Sequence, residues 1–149
     1  MGAAAMARPR RVADGALVLD AQGLVKLATG DPAVRALVQT AHQRYNHVVT
    51  AASTLAEVLR GGGADARIHR VLQRVTVASI DKQAGRRAGE LLGATGLSGH
   101  RCTVDAMLAV VALAQPRPAL LLTSDPDDMT RLTEEPDRSK AERIAVIKV

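Results

Sequence analysis

Ala16-Leu17-Val18-Leu19-Asp20 is an apolar run without helical periodicity that closes on an acid. Four consecutive apolar residues with no polar alternation read as a strand buried on both faces, as in a parallel sheet covered by helices. The same grammar recurs at His47-Val-Val-Thr-Ala51, at Val75 to Ile80, at Ala119-Leu-Leu-Leu-Thr123 and at Ile144 to Val149. Helical patterns fill the intervals. Gln22 to Ala28 ends at Gly30, and Asp31-Pro32 then supplies an N-cap and a proline at the first position of a helix to about Arg44. Ser53 to Arg60 reads as a helix stopped by Gly61-Gly62-Gly63. Ala64 to Arg74 is a further helix, with Ile68, Val71 and Leu72 on one face and Arg67, Arg70 and Arg74 on the other. Asp81 caps a helix to about Leu92. Thr103 to Gln115 is apolar almost all round after its first turn, and Pro126 to Leu132 is short.

Strands alternating with helices imply right-handed crossovers and a mostly parallel sheet with helices on both faces. The expected organisation is one α/β domain over residues 15–149, preceded by a small basic arm at 1–14.

Composition narrows the function classes. The chain has 149 residues, 47% hydrophobic and 23% charged, which excludes wholesale disorder. Its longest apolar run, Ala106 to Ala114, is about half the roughly 20 residues of a membrane span, so no membrane partner is expected. The first 14 residues lack the apolar core of a secretory signal. A lone cysteine, Cys102, excludes an internal disulfide and a multi-thiolate zinc site, and a reducing cytoplasm is the expected compartment. A formal charge of +5 favours a polyanionic partner. One tyrosine, with no tryptophan or phenylalanine, argues against modules that stack bases on aromatic platforms. His42, His47, His69 and His100 show no paired metal-ligand spacing, and only His100 falls near the acids described next.

Asp20 ends the first strand, and Glu57 lies one turn into the helix after the second. Asp105 falls in the first turn expected of the buried helix, and Asp125 follows the fourth strand with Asp127 and Asp128 close behind. In a parallel sheet the carboxyl ends of the strands share one edge, where ligands bind. Carboxylates gathered there raise one another's pKa and call for a cation; hard oxygen ligands select Mg²⁺ or Mn²⁺. Each acid also has a purely structural reading. Thr54-Leu-Ala-Glu57 matches a capping box, Asp125 an N-cap, Asp128 a dipole partner, Asp105 a first-turn acid behind a Thr103 cap, and Asp20 a turn acceptor. Their coincidence at one edge favours a site. Arg60 and Arg101, each a few residues from one of these acids, are the candidates for holding substrate phosphates. The Arg67, Arg70, Arg74 face and the Arg86-Arg87 pair are candidates for tracking a longer polyanion.

Taken together, Leu17-Val-Leu-Asp20-Ala, Ala56-Glu57-Val-Leu-Arg60-Gly-Gly, Val104-Asp105-Ala and Leu122-Thr-Ser-Asp125-Pro-Asp-Asp128 resemble the PIN-domain family. The similarity is greatest to the VapC-type toxins of bacterial toxin–antitoxin pairs. The resemblance implies a three-layer α/β/α sandwich whose five strands run in the order 3-2-1-4-5. It also implies a Mg²⁺- or Mn²⁺-dependent endoribonuclease that cuts RNA, tRNA or another structured RNA, by metal-activated water. Asp20, Glu57, Asp105 and Asp125 match the family's acidic positions. Asp20, Asp105 and Asp125 would hold metal, Asp128 would add a further acid, and Glu57 would complete the ligand set of a second metal ion or orient the attacking water as a general base. Thr123 matches the threonine before the last loop. A small cognate antitoxin and homodimerisation are the implied partnerships. Ala21-Gln22 departs from the serine or threonine that many relatives carry after the first aspartate. Arg101-Cys102-Thr103 stands where some relatives have one more acid. The alternative reading is a non-catalytic PIN-like module that binds RNA or protein.

Overall fold

Strand β1, Ala16–Leu19, pairs in parallel with both β2, His47–Ala51, and β4, Ala119–Thr123, so the first strand of the chain lies at the centre of the sheet. The computed structural model describes residues 14–149, and all but the last residue of the expected basic arm lies outside them. β3, Thr76–Ala78, flanks β2, and β5, Ala145–Lys148, flanks β4. The result is a sheet of order β3-β2-β1-β4-β5, parallel throughout. Among the described residues there are seven α-helices: α1 Ala21–Thr29, α2 Pro32–Gln43, α3 Ala52–Val58, α4 Ala66–Leu72, α5 Lys82–Thr95, α6 Gly99–Leu113 and α7 Pro126–Leu132. None of the described helices is long and apolar enough to cross a membrane.

The alternation of side chains along β1 divides the core in two. Ala16 and Val18 face the layer of α5, α6 and α7, where Ala106, Ala109, Ala112, Met129 and Leu132 are buried against them. Leu17 and Leu19 face the other layer, with Leu24 of α1 and Val34 and Val38 of α2. Both faces are covered, which is why β1 and most of β4 are unbroken apolar runs.

Local chemistry sets most boundaries where the sequence places them. Asp31 and Asp81 cap α2 and α5, accepting from the Val34 N–H at 3.0 Å and the Ala84 N–H at 2.8 Å. Gly30, at φ 86°, ends α1 in the left-handed region that glycine tolerates. Three expectations need correction. α6 starts at Gly99, four residues before the expected Thr103, because the chain turns straight out of α5 through Gly96 and the Cys102 N–H closes on the Ser98 carbonyl at 2.8 Å. The Thr103 hydroxyl therefore bonds back to the Gly99 carbonyl and does not cap, and Asp105 moves to the second turn. α3 starts at Ala52, directly off β2, which makes Thr54 its third residue; the capping box does not form. α3 also ends at Val58, short of the glycine run. The Asp65 carboxylate takes over there, accepting from the Arg60 and Gly61 N–H groups at 2.9 and 2.7 Å and fixing the turn between α3 and α4. Those backbone bonds lower its pKa. The third strand is limited to Thr76–Ala78, because as an edge strand it pairs only with β2.

Arg117 organises the far end of the molecule. Its guanidinium donates to the carbonyls of Leu113, Gln115 and Glu142 and pairs with Glu135, which also takes Arg138 at 2.9 Å. Burial pushes the Glu135 carboxyl upward, but the Arg117 hydrogen bond and charge, joined by Arg138, outweigh it and hold the group below its ordinary value. A depressed folded-state pKa contributes stability above the unfolded carboxyl range, and that stability is lost as pH falls through it. Glu135→Gln is therefore expected to cost about 1–3 kcal/mol in urea unfolding at pH 7. The difference from wild type should shrink progressively in acid; a pH-independent gap would show that packing, not charge, holds this corner.

Candidate functional site

The site begins with Asp20, which leaves β1 and becomes the N-cap of α1. Only 6% exposed, it accepts from the Gly23 N–H through Oδ1 at 2.7 Å and from the Ser124 N–H through Oδ2 at 2.9 Å. The first bond orients the carboxylate on its own helix, and the second ties it to the turn after β4. Two neighbouring threonines, both wholly buried, secure the same edge. The Thr50 hydroxyl donates to the Leu19 carbonyl at 2.7 Å, locking β2 to the end of β1. The Thr123 hydroxyl accepts from the Asp125 N–H at 3.0 Å and shapes the turn that presents Asp125.

Asp125 occupies the N-cap position of α7, yet its side chain makes no capping bond, which leaves the carboxylate uncommitted. Asp128 follows in the first turn of that helix and receives the Cys102 thiol at 3.7 Å. Asp127 is exposed. Burial, followed by the charge and hydrogen bond of Asp128 and the charge of Asp105, pushes the Cys102 thiol up.

Electrostatics show that the acids converge. Burial raises the Asp105 carboxyl to about 6, helped in turn by the charges of Glu57, Asp125, Asp20 and Asp128. Four of the acids singled out from the sequence thus act on a fifth, and Asp127 is not among them. Glu57, exposed on α3, is raised by partial burial and then by Asp20. The structural reading of Glu57 as a capping-box residue falls with the box itself.

Among the described residues no three His, Cys, Asp or Glu side chains form a closed metal-ligand group. The donor set nevertheless suits one kind of ion. Mg²⁺ keeps several waters and needs only one or two direct carboxylates, so an open, all-oxygen, half-buried cluster fits it, and Mn²⁺ by the same ligand preference. Zinc would want nitrogen or sulfur donors that the cluster does not offer.

The two arginines fare differently. The Arg60 guanidinium donates to the carbonyls of Ala56 and Leu59 at 2.9 and 2.8 Å and so closes the last turn of its own helix. Arg101 is exposed on the first turn of α6, one turn before Asp105. Sequence reasoning missed the Ser124 N–H, a backbone donor that no residue type reveals. It also missed the hydroxyls of Ser53 and Thr54, which are buried at the head of α3 without a partner among the described residues. Their only signal was a Ser-Thr pair placed directly after a strand.

The geometry has counterparts among known proteins. The solved structure of VapBC2 from Rickettsia felis bound to a DNA fragment from their promoter contains a chain similar to this one, with a TM-score of 0.64 and 14% identity. The likeness covers 90% of this chain and 98% of that one, and at such identity it is a likeness of fold. No curated protein sequence matches. Residues 17–135 match the PIN-domain family, an interval that spans β1 to the turn after α7 and contains Asp20, Glu57, Asp105, Asp125 and Asp128. The chain belongs to the PIN-domain family.

Proposed function

We infer that this protein is an endoribonuclease of the VapC type, the toxin of a toxin–antitoxin pair, acting in the cytoplasm with Mg²⁺ or Mn²⁺. PIN domains are generally nucleases, and the observation that carries the reading here is the Asp105 carboxyl, pushed to about 6 by burial and by four neighbouring acids. Clustering like charges is costly without a cation to offset it. Asp20, Asp105 and Asp125 would hold the ion, with Asp128 at the margin. Bound there, it supplies Lewis acidity toward water and the phosphodiester oxygens.

The side chains divide the remaining work. Asp20, held by two backbone N–H groups, is an oriented acceptor with lone pairs left for a ligand. Asp125, uncapped, is free to ligate. Glu57, exposed and with a raised pKa, is suited to orient or deprotonate the attacking water as a general base. Arg101 carries an exposed guanidinium to a scissile phosphate, while Arg60, occupied by two carbonyls, is the weaker candidate. RNA, tRNA or another structured RNA, is the proposed substrate, a small antitoxin the proposed inhibitor, and a homodimer the proposed assembly.

Purified wild type incubated with total bacterial RNA is expected to give discrete cuts with Mg²⁺ or Mn²⁺ and none with EDTA. Asp20→Asn and Asp105→Asn, checked for folding, should each lose at least about 100-fold in rate. Retained cleavage in both variants would sink the assignment, and a folded, inhibitor-free wild type that never cuts would point to a non-catalytic binding module.

A second expectation reads metal binding without activity. The Asp105 carboxyl is raised in the folded state, so the fold holds an extra proton between about pH 4 and 6, and metal-free stability falls as pH rises through that window. After discounting for solvent screening the loss is on the order of 1 kcal/mol. Scanning calorimetry should show Asp105→Asn to be more stable than metal-free wild type at pH 7.5 and flat across the window. Mg²⁺ or Mn²⁺ should raise the wild-type Tm more at pH 7.5 than at pH 5, because the ion competes with that proton.

A further inference from the structure

Thr54 is the one residue of α3 that the fold buries, at 1% exposure, and it is not an apolar residue. Its hydroxyl and that of Ser53 are shut away from solvent, and neither has a hydrogen-bond partner among the described residues. The other buried threonines are all bonded: Thr50 to the Leu19 carbonyl, Thr123 to the Asp125 N–H and Thr133 to the Met129 carbonyl. A buried hydroxyl without a partner forfeits the bonds it makes in water, and valine fills the same space without that penalty. Two such groups on successive residues call for a polar molecule bound between them.

Their place in the fold says what that molecule touches. α3 packs against α1, which Asp20 caps, and against α6, which carries Asp105. Ser53 and Thr54 precede Glu57 by four and three residues, the spacings that bring side chains onto one stripe of a helix. Glu57 marks the side of α3 that meets the cluster, because its carboxylate feels Asp20 and acts on Asp105. The two hydroxyls therefore lie one turn below Glu57, on the inner side of the carboxylates. The surrounding acids disfavour an anion there. Each hydroxyl donates once and accepts twice, and with the Glu57 carboxylate they supply the two to four polar partners that a buried water needs.

We propose that the Ser53 and Thr54 hydroxyls bind one water molecule and present it to the Glu57 carboxylate, as positioning residues for the water consumed in hydrolysis. The role in hydrolysis rests on the nuclease reading; the binding itself needs neither metal nor RNA. In the reaction the water oxygen bonds to phosphorus as the P–O3′ bond breaks. One water proton passes to Glu57, the other stays on the new phosphate, and the 3′ oxygen takes a proton from solvent.

The test compares wild type with Thr54→Val, which keeps the shape and removes the hydroxyl, Thr54→Ser, which keeps the hydroxyl and loses a methyl, and Ser53→Ala. Crystals grown in EDTA, so that no cation is mistaken for the water, are expected to show a water about 3 Å from both hydroxyls and from Glu57 in wild type. A wild-type site with no water there overturns the proposal. In EDTA, Thr54→Val should melt about 2–4 °C below wild type. A melting temperature equal to or above wild type, as removal of an unbonded hydroxyl gives, also overturns it. With Mg²⁺ and RNA, Thr54→Val and Ser53→Ala should lose at least about 10-fold in kcat at unchanged KM. Their Mn²⁺ affinity, read by electron paramagnetic resonance, should stay at the wild-type value. Thr54→Ser should keep the wild-type kcat although its lost methyl lowers its own melting temperature, a split that a merely structural role does not produce. Equal kcat in Thr54→Val and Thr54→Ser would overturn the positioning role. A folded wild type that cuts nothing would overturn the nuclease reading, and the crystals and melts would still decide whether the hydroxyls hold a water.

Discussion

The Asp20 carboxylate accepts one N–H from its own helix and one from Ser124, 104 residues further along the chain, and so joins the carboxyl ends of two adjacent parallel strands. The rest of the site depends on that junction. It keeps the turn after β4 against the turn after β1, which lets Thr123 present Asp125 and lets α7 bring Asp128 beside α6. A longer or merely neutral side chain at position 20 could fill the space without accepting both bonds. The group that fixes the architecture of this edge is thus also a member of the charged cluster, and structure and proposed chemistry share one side chain.

Gathering acids at that junction works against stability. Burial and four neighbouring charges raise Asp105, and Asp20 helps to raise Glu57. The chain contains acids used quite differently. Asp31 and Asp81 each cap a helix, and Asp65 and Glu135 are held by backbone N–H groups or by arginines that lower their pKa. The contrast is physical: where a carboxylate serves the fold, the fold supplies donors to it, and at the cluster most of those donors are missing. The arginines divide in a similar way: among the described residues Arg35, Arg67, Arg70 and Arg74 have no ion pair or side-chain hydrogen bond, while Arg60 and Arg117 donate to carbonyls. At the cluster, unbalanced charge of one sign marks where a ligand of the other sign fits.

Parallel topology explains why Asp20 and Asp125 share an edge. Every crossover returns the chain to the amino edge before a strand begins, so residues just after strands collect at one edge and residues just before them at the other. Asp20, Asp125 and the head of α3 belong to the first class, and His42 and Arg74 to the second.

The apolar runs at β1, β2 and β4, the caps at Asp31 and Asp81 and the stops at glycine were all legible in the sequence, because each depends on a handful of neighbouring residues. The positions of Asp20 and Asp125 directly after strands were legible for the same reason, whereas Asp105 follows no strand and reaches the other acids only through the packing of α6. The start of α6 was not legible: Ser98 to Thr103 suits either a cap or a continuing helix, and only packing against α5 chose. The false capping box at Thr54 has the same cause, for β2 passes into α3 without a turn. The residue types that can hold a cation, and the edge on which they stand, were determined by the sequence alone. Which of them is buried, which is already bonded and which arginines are left unpaired were decided by tertiary structure, because burial and partnership are relations between residues far apart in the chain.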